Sequence, residues 1–244
     1  MSKIKFLNTQ VDNVTMNEAI HIIDGLVKKK GQSYVVTPNL DHIVMIEDNS
    51  CFKEIYDNAS LVLTDGQPLI WISKLKGIPI VEKVSGSDLF PQVCEMAARR
   101  GYTVYILGAA DRVAEKAAQN LTDRFKGLQV VGTYSPSFGF ENKPEEVDKI
   151  IKRITSLKPD ILAVSLGSPK GENFIYHYRE RLNVPVSMSI GAAVDFEAGN
   201  VQRAPKWMSI CGLEWLYRTM REPKRLAKRY WHDLHAIIPI IIKY

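Results

Sequence analysis

Six short apolar runs, at residues 33–37, 61–64, 103–108, 129–133, 161–166 and 186–190, alternate with longer amphipathic stretches, and this alternation restricts the fold more than any other feature. Runs of strand length that are apolar throughout belong to parallel sheets covered on both faces by helices. The stretches between them predict helices at about 39–48, 50–59, 67–75, 87–100, 111–125, 143–156 and 170–181. The chain is therefore expected to be α/β, with Rossmann-like parallel sheets and flanking helices. Thr15-Met16-Asn17-Glu18 has the spacing of a capping box and opens a helix through about residue 29, while Ser87-Asp88 is a candidate cap further on. Gly77-Ile78-Pro79 interrupts the periodicity and marks a junction between two closely joined halves, residues 1–77 and 78–199. At 244 residues the chain buries a sizeable core without disulfides.

Polar or glycine-rich turns follow several candidate strands: Thr37-Pro38-Asn39, Thr64-Asp65-Gly66, Gly108-Ala109-Ala110-Asp111, Gly167-Ser168-Pro169 and Gly191-Ala192-Ala193. In an open parallel sheet the carboxyl ends of the strands form the ligand crevice, so a nucleotide or phosphate ligand is expected there, with Gly108 among the binding positions. Each glycine also has a plainer reading, as what a tight strand-to-helix connection needs. Neither G-x-G-x-x-G after a strand nor G-x-x-x-x-G-K-[ST] occurs, which excludes the two commonest nucleotide fingerprints. Asp65 is held by the sheet edge where a general base would be wanted; an aspartate that satisfies turn amides is the equal alternative.

No Asp-x-Asp pair occurs, and His232 and His235, three residues apart, read as surface or interface residues, so a site with no metal and no cofactor is expected. A departing diphosphate then requires cationic side chains and backbone donors, for which Lys83, Lys170 and the arginines near the C-terminus are candidates. A solvated lysine is the plainer reading of Lys170. Cys51, Cys94 and Cys211 are too far apart for a zinc pair or redox motif, and the N-terminus has no apolar run of signal-peptide length, which together point to a reduced, cytoplasmic setting.

The net charge of +5 is unevenly spread: residues 200–244 carry +6, and the remainder is slightly acidic at −1. In this last segment basic and aromatic residues interleave, and Arg218, Arg221, Arg225 and Arg229 share a helix face unless Pro223 starts a second helix, which its fixed φ favours. With the apolar run Ala236-Ile237-Ile238-Pro239-Ile240-Ile241-Ile242, too short to span a bilayer, the segment reads as a basic amphipathic appendage lying on a membrane surface. Packing of its apolar face on the domain is one competing reading and nucleic-acid binding another. An acidic remainder, with no second basic surface, argues against nucleic acid.

Taken together, these segments resemble the WecG/TagA/CpsF glycosyltransferases from about residue 5 to about 230. The resemblance is carried by Gly191-Ala192-Ala193-Val194-Asp195-Phe196 with Gly199, by Arg203-Ala204-Pro205, by Gly212-Leu213-Glu214-Trp215-Leu216-Tyr217-Arg218, and by Glu222-Pro223 with Arg225. Thr37-Pro38-Asn39, Thr64-Asp65-Gly66 and Leu166-Gly167-Ser168-Pro169-Lys170 match further family motifs in order.

The resemblance implies an inverting transferase that moves N-acetylmannosamine or a relative from a UDP donor to undecaprenyl-diphosphate-linked N-acetylglucosamine, for teichoic acid, capsule or exopolysaccharide. It implies Asp65 as base, Thr37 and Asn39 lining its pocket, Asp195 on the nucleotide side, and Arg218 and Arg225 closing over the diphosphate at the inner face of the membrane. Family members are often oligomeric, which adds a homo-oligomer to the expectations. Two positions depart from the family pattern: Glu82-Lys83 stands for Glu-Arg, and Pro169-Lys170-Gly171-Glu172 for Pro-Lys-Gln-Glu. Lysine lacks the planar fork of arginine, and Gly171 removes an amide expected to touch ligand. A differently specific, or non-catalytic, UDP-sugar-binding protein at the membrane surface is the alternative function.

Overall fold

A computed structural model describes residues 3–205, 208 and 212–244, apart from the side chain of Arg225. The chain opens with an antiparallel hairpin, β1 (Lys3–Phe6) and β2 (Thr9–Asp12). Next come α1 (Met16–Lys29), β3 (Ser33–Val36), α2 (Leu40–Asp48), α3 (Ser50–Asp57), β4 (Leu61–Val62), α4 (Gln67–Leu75) and α5 (Gly86–Arg100). Further on are β5 (Thr103–Gly108), α6 (Val113–Arg124), β6 (Gln129–Tyr134), a single 3₁₀ turn (Phe140–Asn142), α7 (Pro144–Leu157), β7 (Ile161–Ser165), α8 (Lys170–Leu182), β8 (Val186–Ser189) and α9 (Ala193–Glu197). Two helices, α10 (Glu214–Arg221) and α11 (Pro223–Lys243), complete the described chain. Pro223 begins the second of them, since a proline at the first helical position gives up no hydrogen bond.

Six strands form one parallel sheet in the order β4-β3-β8-β7-β5-β6. Pairing of β3 with β8 puts strands from both sides of Gly77 into the same sheet. Side chains alternate across it: Tyr34, Val36, Tyr105, Leu107, Leu162 and Val164 face a layer made by α2, α3, α7 and α8. On the other face Val35, Val104, Ile106, Ile161, Ala163 and Met188 meet α1, α5, α6 and α9. Because every strand is parallel, the turns after the strands all lie along one edge, and there the site is built.

Two local expectations need correction. The hairpin was not anticipated: Asn8 fixes its turn by donating to Ile43 O (2.9 Å) and Glu47 Oε2 (3.0 Å), and buried Asp12 accepts from the Val62 amide (2.9 Å), which covers edge strand β4. Helix α5 is capped by Ser85 rather than by Ser87-Asp88; Ser85 Oγ accepts from the Asp88 amide at 3.2 Å and donates to Asp88 Oδ2 at 2.6 Å. The capping box of α1 forms as expected, with Thr15 N donating to Glu18 Oε2 (2.8 Å) and Glu18 N to Thr15 Oγ1 (3.3 Å).

The C-terminal appendage packs on the domain. Ile237 and Ile240 of α11 are buried against the α2 side of the core, and Lys76 Nζ donates to Ile241 O at 3.1 Å. The opposite side of the same helix leaves Trp231, Leu234, Ile238 and Ile242 exposed, at helical spacings of three and four.

Candidate active site

The amide of Asp65 donates to Pro38 O at 2.8 Å, which lays Thr64-Asp65-Gly66 beside Thr37-Pro38-Asn39, and the Val84 amide donates to Thr64 O at 2.9 Å from the other side. Gly66 caps α4 with φ 105°, a conformation a side chain would strain, so the Asp-Gly pair is what lets the chain turn with Asp65 at the mouth of the crevice. Asn39 caps α2, its Oδ1 accepting from the His42 amide at 3.2 Å. Thr37 is buried. Its carbonyl accepts from the ring of His42, which burial first and the Arg229 charge second hold neutral, at a pKa of about 3. His42 Nδ1 in turn meets Tyr56 Oη at 2.9 Å, so a neutral polar floor lies under the first turn.

Asp65 is hemmed in by protein atoms yet still reached by solvent. Burial pushes its carboxyl up to about 7; the Lys83 charge works against this, Glu214 and Asp88 add to it, and Arg218 opposes. Lys83 Nζ lies 3.7 Å from both Asp88 Oδ2 and Glu214 Oε2. Although burial pushes Asp88 up, hydrogen bonds from Ser85 and Arg203 and the Lys83 charge hold it below the usual carboxylate range. Arg203 donates to Asp88 Oδ1 (2.5 Å) and Ser87 O (2.6 Å), with Phe196 under its guanidinium at 5.4 Å. Arg218 also stands over the Phe196 ring, at 5.9 Å, and its buried Nε has no hydrogen-bond partner among the described residues. An open cavity of about 740 Å³, lined among others by Met16, Lys83, Asp88, Phe196, Glu197 and Arg203, adjoins this group.

Of the residues singled out from sequence, Asp65, Thr37, Asn39, Lys83 and Arg218 are therefore brought to one end of the crevice. Asp195 sits on α9, its carbonyl accepting from Asn200 N (3.0 Å) and Val201 N (3.3 Å) in the turn that starts the appendage. Gly108 is explained by packing: a Cβ there would lie 2.3 Å from Ser165 O, so only glycine permits β5 and β7 to approach. Lys170 does not join the group, since its Nζ pairs with Glu141 and stands 4.9 Å from the Phe138 ring. The side chain of Arg225, together with Lys206, Trp207 and Cys211, lies outside the described residues. A Cβ at Gly171 would meet Ser189 Oγ at 3.2 Å and Val164 Cγ1 at 3.6 Å, so a side chain at this position starts out toward the sheet.

Three acids were not singled out. Glu214 and Asp88 both hold Lys83. Glu172, one turn into α8, is buried, accepts from Ser189 Oγ at 2.8 Å and has its carboxyl raised by that burial. All three stand in stretches already marked by motif or cap, but the pairing of Glu214 with a lysine far away in sequence has no local signal. Among the described residues no group of three or more His, Cys, Asp and Glu is placed to hold a metal.

The model of the glycosyl transferase WecG/TagA/CpsF family matches residues 4–244. The chain is 29% identical over 215 residues to an N-acetylglucosaminyldiphosphoundecaprenol N-acetyl-beta-D-mannosaminyltransferase of Bacillus spizizenii, covering 88% of this chain and 81% of that one. It is 25% identical over 229 residues to a protein of the same name from Staphylococcus aureus, covering 93% and 88%.

Proposed function

The chain belongs to the glycosyl transferase WecG/TagA/CpsF family, and on that premise we propose that it moves N-acetylmannosamine, or a related sugar, from UDP to N-acetylglucosamine carried on undecaprenyl diphosphate. The observation that carries the mechanism is Asp65, whose carboxyl is raised to about 7 in a crevice shared with Lys83 and Arg218. A base with that affinity for protons is matched to neutral pH. Asp65 takes the proton of the acceptor hydroxyl as its oxygen attacks the anomeric carbon from the face opposite the diphosphate. The bond from that carbon to the UDP oxygen breaks, its electron pair leaves with UDP, and the anomeric centre inverts. Lys83 and Arg218, whose buried Nε has no hydrogen-bond partner among the described residues, supply the countercharge, without a metal. On this reading Thr37 and Asn39 line the acceptor side and Asp195 the nucleotide side. Lys170 would first have to leave Glu141.

Peripheral membrane attachment fits a lipid-borne acceptor. No helix among the described residues is long and apolar enough to cross a membrane, but the exposed apolar side of α11 is suited to lie on one. The test is UDP release from a panel of UDP-sugars, with a prenyl-diphosphate N-acetylglucosamine acceptor, in the presence and absence of EDTA. Acceptor-dependent release from UDP-N-acetylmannosamine, undiminished by EDTA, is expected; no acceptor-dependent release from any donor would overturn the proposal.

A further inference from the structure

Lys83 is the cation whose charge acts most strongly on Asp65 among the described residues, so a nucleoside diphosphate bound beside Asp65 would draw on it. In the structure that charge is already answered, at 3.7 Å each, by Asp88 and Glu214. A phosphate that takes the charge of Lys83 competes with these two anions, and the less firmly held of them is the one to yield. Asp88 is fixed: Oδ2 accepts from Ser85 Oγ at 2.6 Å, Oδ1 from Arg203 at 2.5 Å, and the residue sits inside the capped first turn of α5. Glu214 stands at the very start of α10, on a helix that buries none of its own residues. Glu214 and Arg218 are one turn apart on one face of α10, so the helix presents both a carboxylate and a guanidinium to the crevice.

We propose that Glu214 occupies, in the donor-free enzyme, the position on Lys83 that the donor's diphosphate takes, and that donor binding exchanges one anion for the other. This makes Glu214 a positioning residue that keeps Lys83 oriented toward the crevice when empty and charges donor binding with its own displacement. The proposal rests on the reading of this crevice as the donor site.

Calorimetric titration of the full-length protein with UDP, and with uridine as the phosphate-free control, tests it. Partly exposed ion pairs contribute up to about 1 kcal/mol, so Glu214→Gln should bind UDP about two- to fivefold more tightly than wild type, with uridine unchanged. Glu214→Ala should behave alike, and in a Lys83→Gln background the gain should vanish. UDP affinity that stays the same or falls in both Glu214 variants would overturn the exchange, as would a gain that persists without Lys83 or extends equally to uridine. Wild type that binds no UDP would instead overturn the donor-site reading, and the exchange with it.

Discussion

Asp65 is costly to keep ionised where it is. Its carboxyl binds a proton more tightly in the folded protein, at about 7, than the ordinary value of 3.8 in an unfolded chain. Ionisation therefore works against folding: the cost is absent below the unfolded value, grows as pH rises from there, and levels off above about 7. Asp65→Asn should consequently raise the melting temperature, with a gain that increases between pH 4 and pH 7 and is constant beyond. Thermal unfolding across that range measures it, and a gain independent of pH, or a loss at pH 8, would contradict the raised carboxyl. Such a residue, destabilising yet placed at the open end of a strand, is what a site retained for chemistry looks like. Gly171 teaches the converse, because a departure from the family pattern that suggested altered ligand contact sits where any side chain would press on Ser189.

At the scale of elements, the strands of the main sheet were legible because each is an apolar run whose two faces are both covered. Even where the ladder ends early, the expected residues continue the pairing, as Leu63 N does on Val36 O (2.9 Å) and Ile190 N on Val164 O (3.0 Å). The hairpin was not legible: its first strand is Lys-Ile-Lys-Phe, its turn is Leu7-Asn8 with no glycine, and what holds it are Asn8 and Asp12 bonding to elements far along the chain. The α5 cap was misplaced by two residues because Ser-x-x-Asp and Ser-Asp are both plausible starts, and only the backbone decides between them. Ser85→Ala should cost about 1 kcal/mol of stability, the usual worth of an N-cap, and Ser87→Ala much less; denaturant unfolding of the two variants discriminates, and equal effects would contradict the assignment. On α11 the alternatives of packing on the domain and facing a membrane are both available, one on each side of the helix. Replacing Trp231, Ile238 and Ile242 with serine should reduce co-sedimentation with anionic vesicles and leave the melting temperature nearly unchanged, whereas serine at Ile237 and Ile240 should lower it; vesicle binding unaffected by the first set would refute the membrane-facing role.

Over the whole molecule, one sheet carries the candidate crevice along one edge. Residues 37–39, 64–66 and 83–88 come from its β4 end and from the loop into α5, and Arg203, Glu214 and Arg218 from the appendage. The strand-end turns of this set could be read locally, since acids and glycines after apolar runs mark a crevice edge. Its electrostatics could not: the contact of Lys83 with Glu214, and the approach of Arg218 to Phe196, exist only because the appendage folds back across the sheet. Asp65 is the proposed base of this transfer. The most direct measurement is acceptor-dependent UDP release by wild type and Asp65→Asn from pH 5.5 to 9, with UDP-N-acetylmannosamine and the prenyl-diphosphate acceptor. Wild-type kcat/KM should rise with pH through a limb near 7 and then level off. Asp65→Asn, folded and still binding UDP, should lose about 10²–10⁴ in turnover and show no such limb; turnover close to wild type, or a limb that survives the substitution, would contradict the claim.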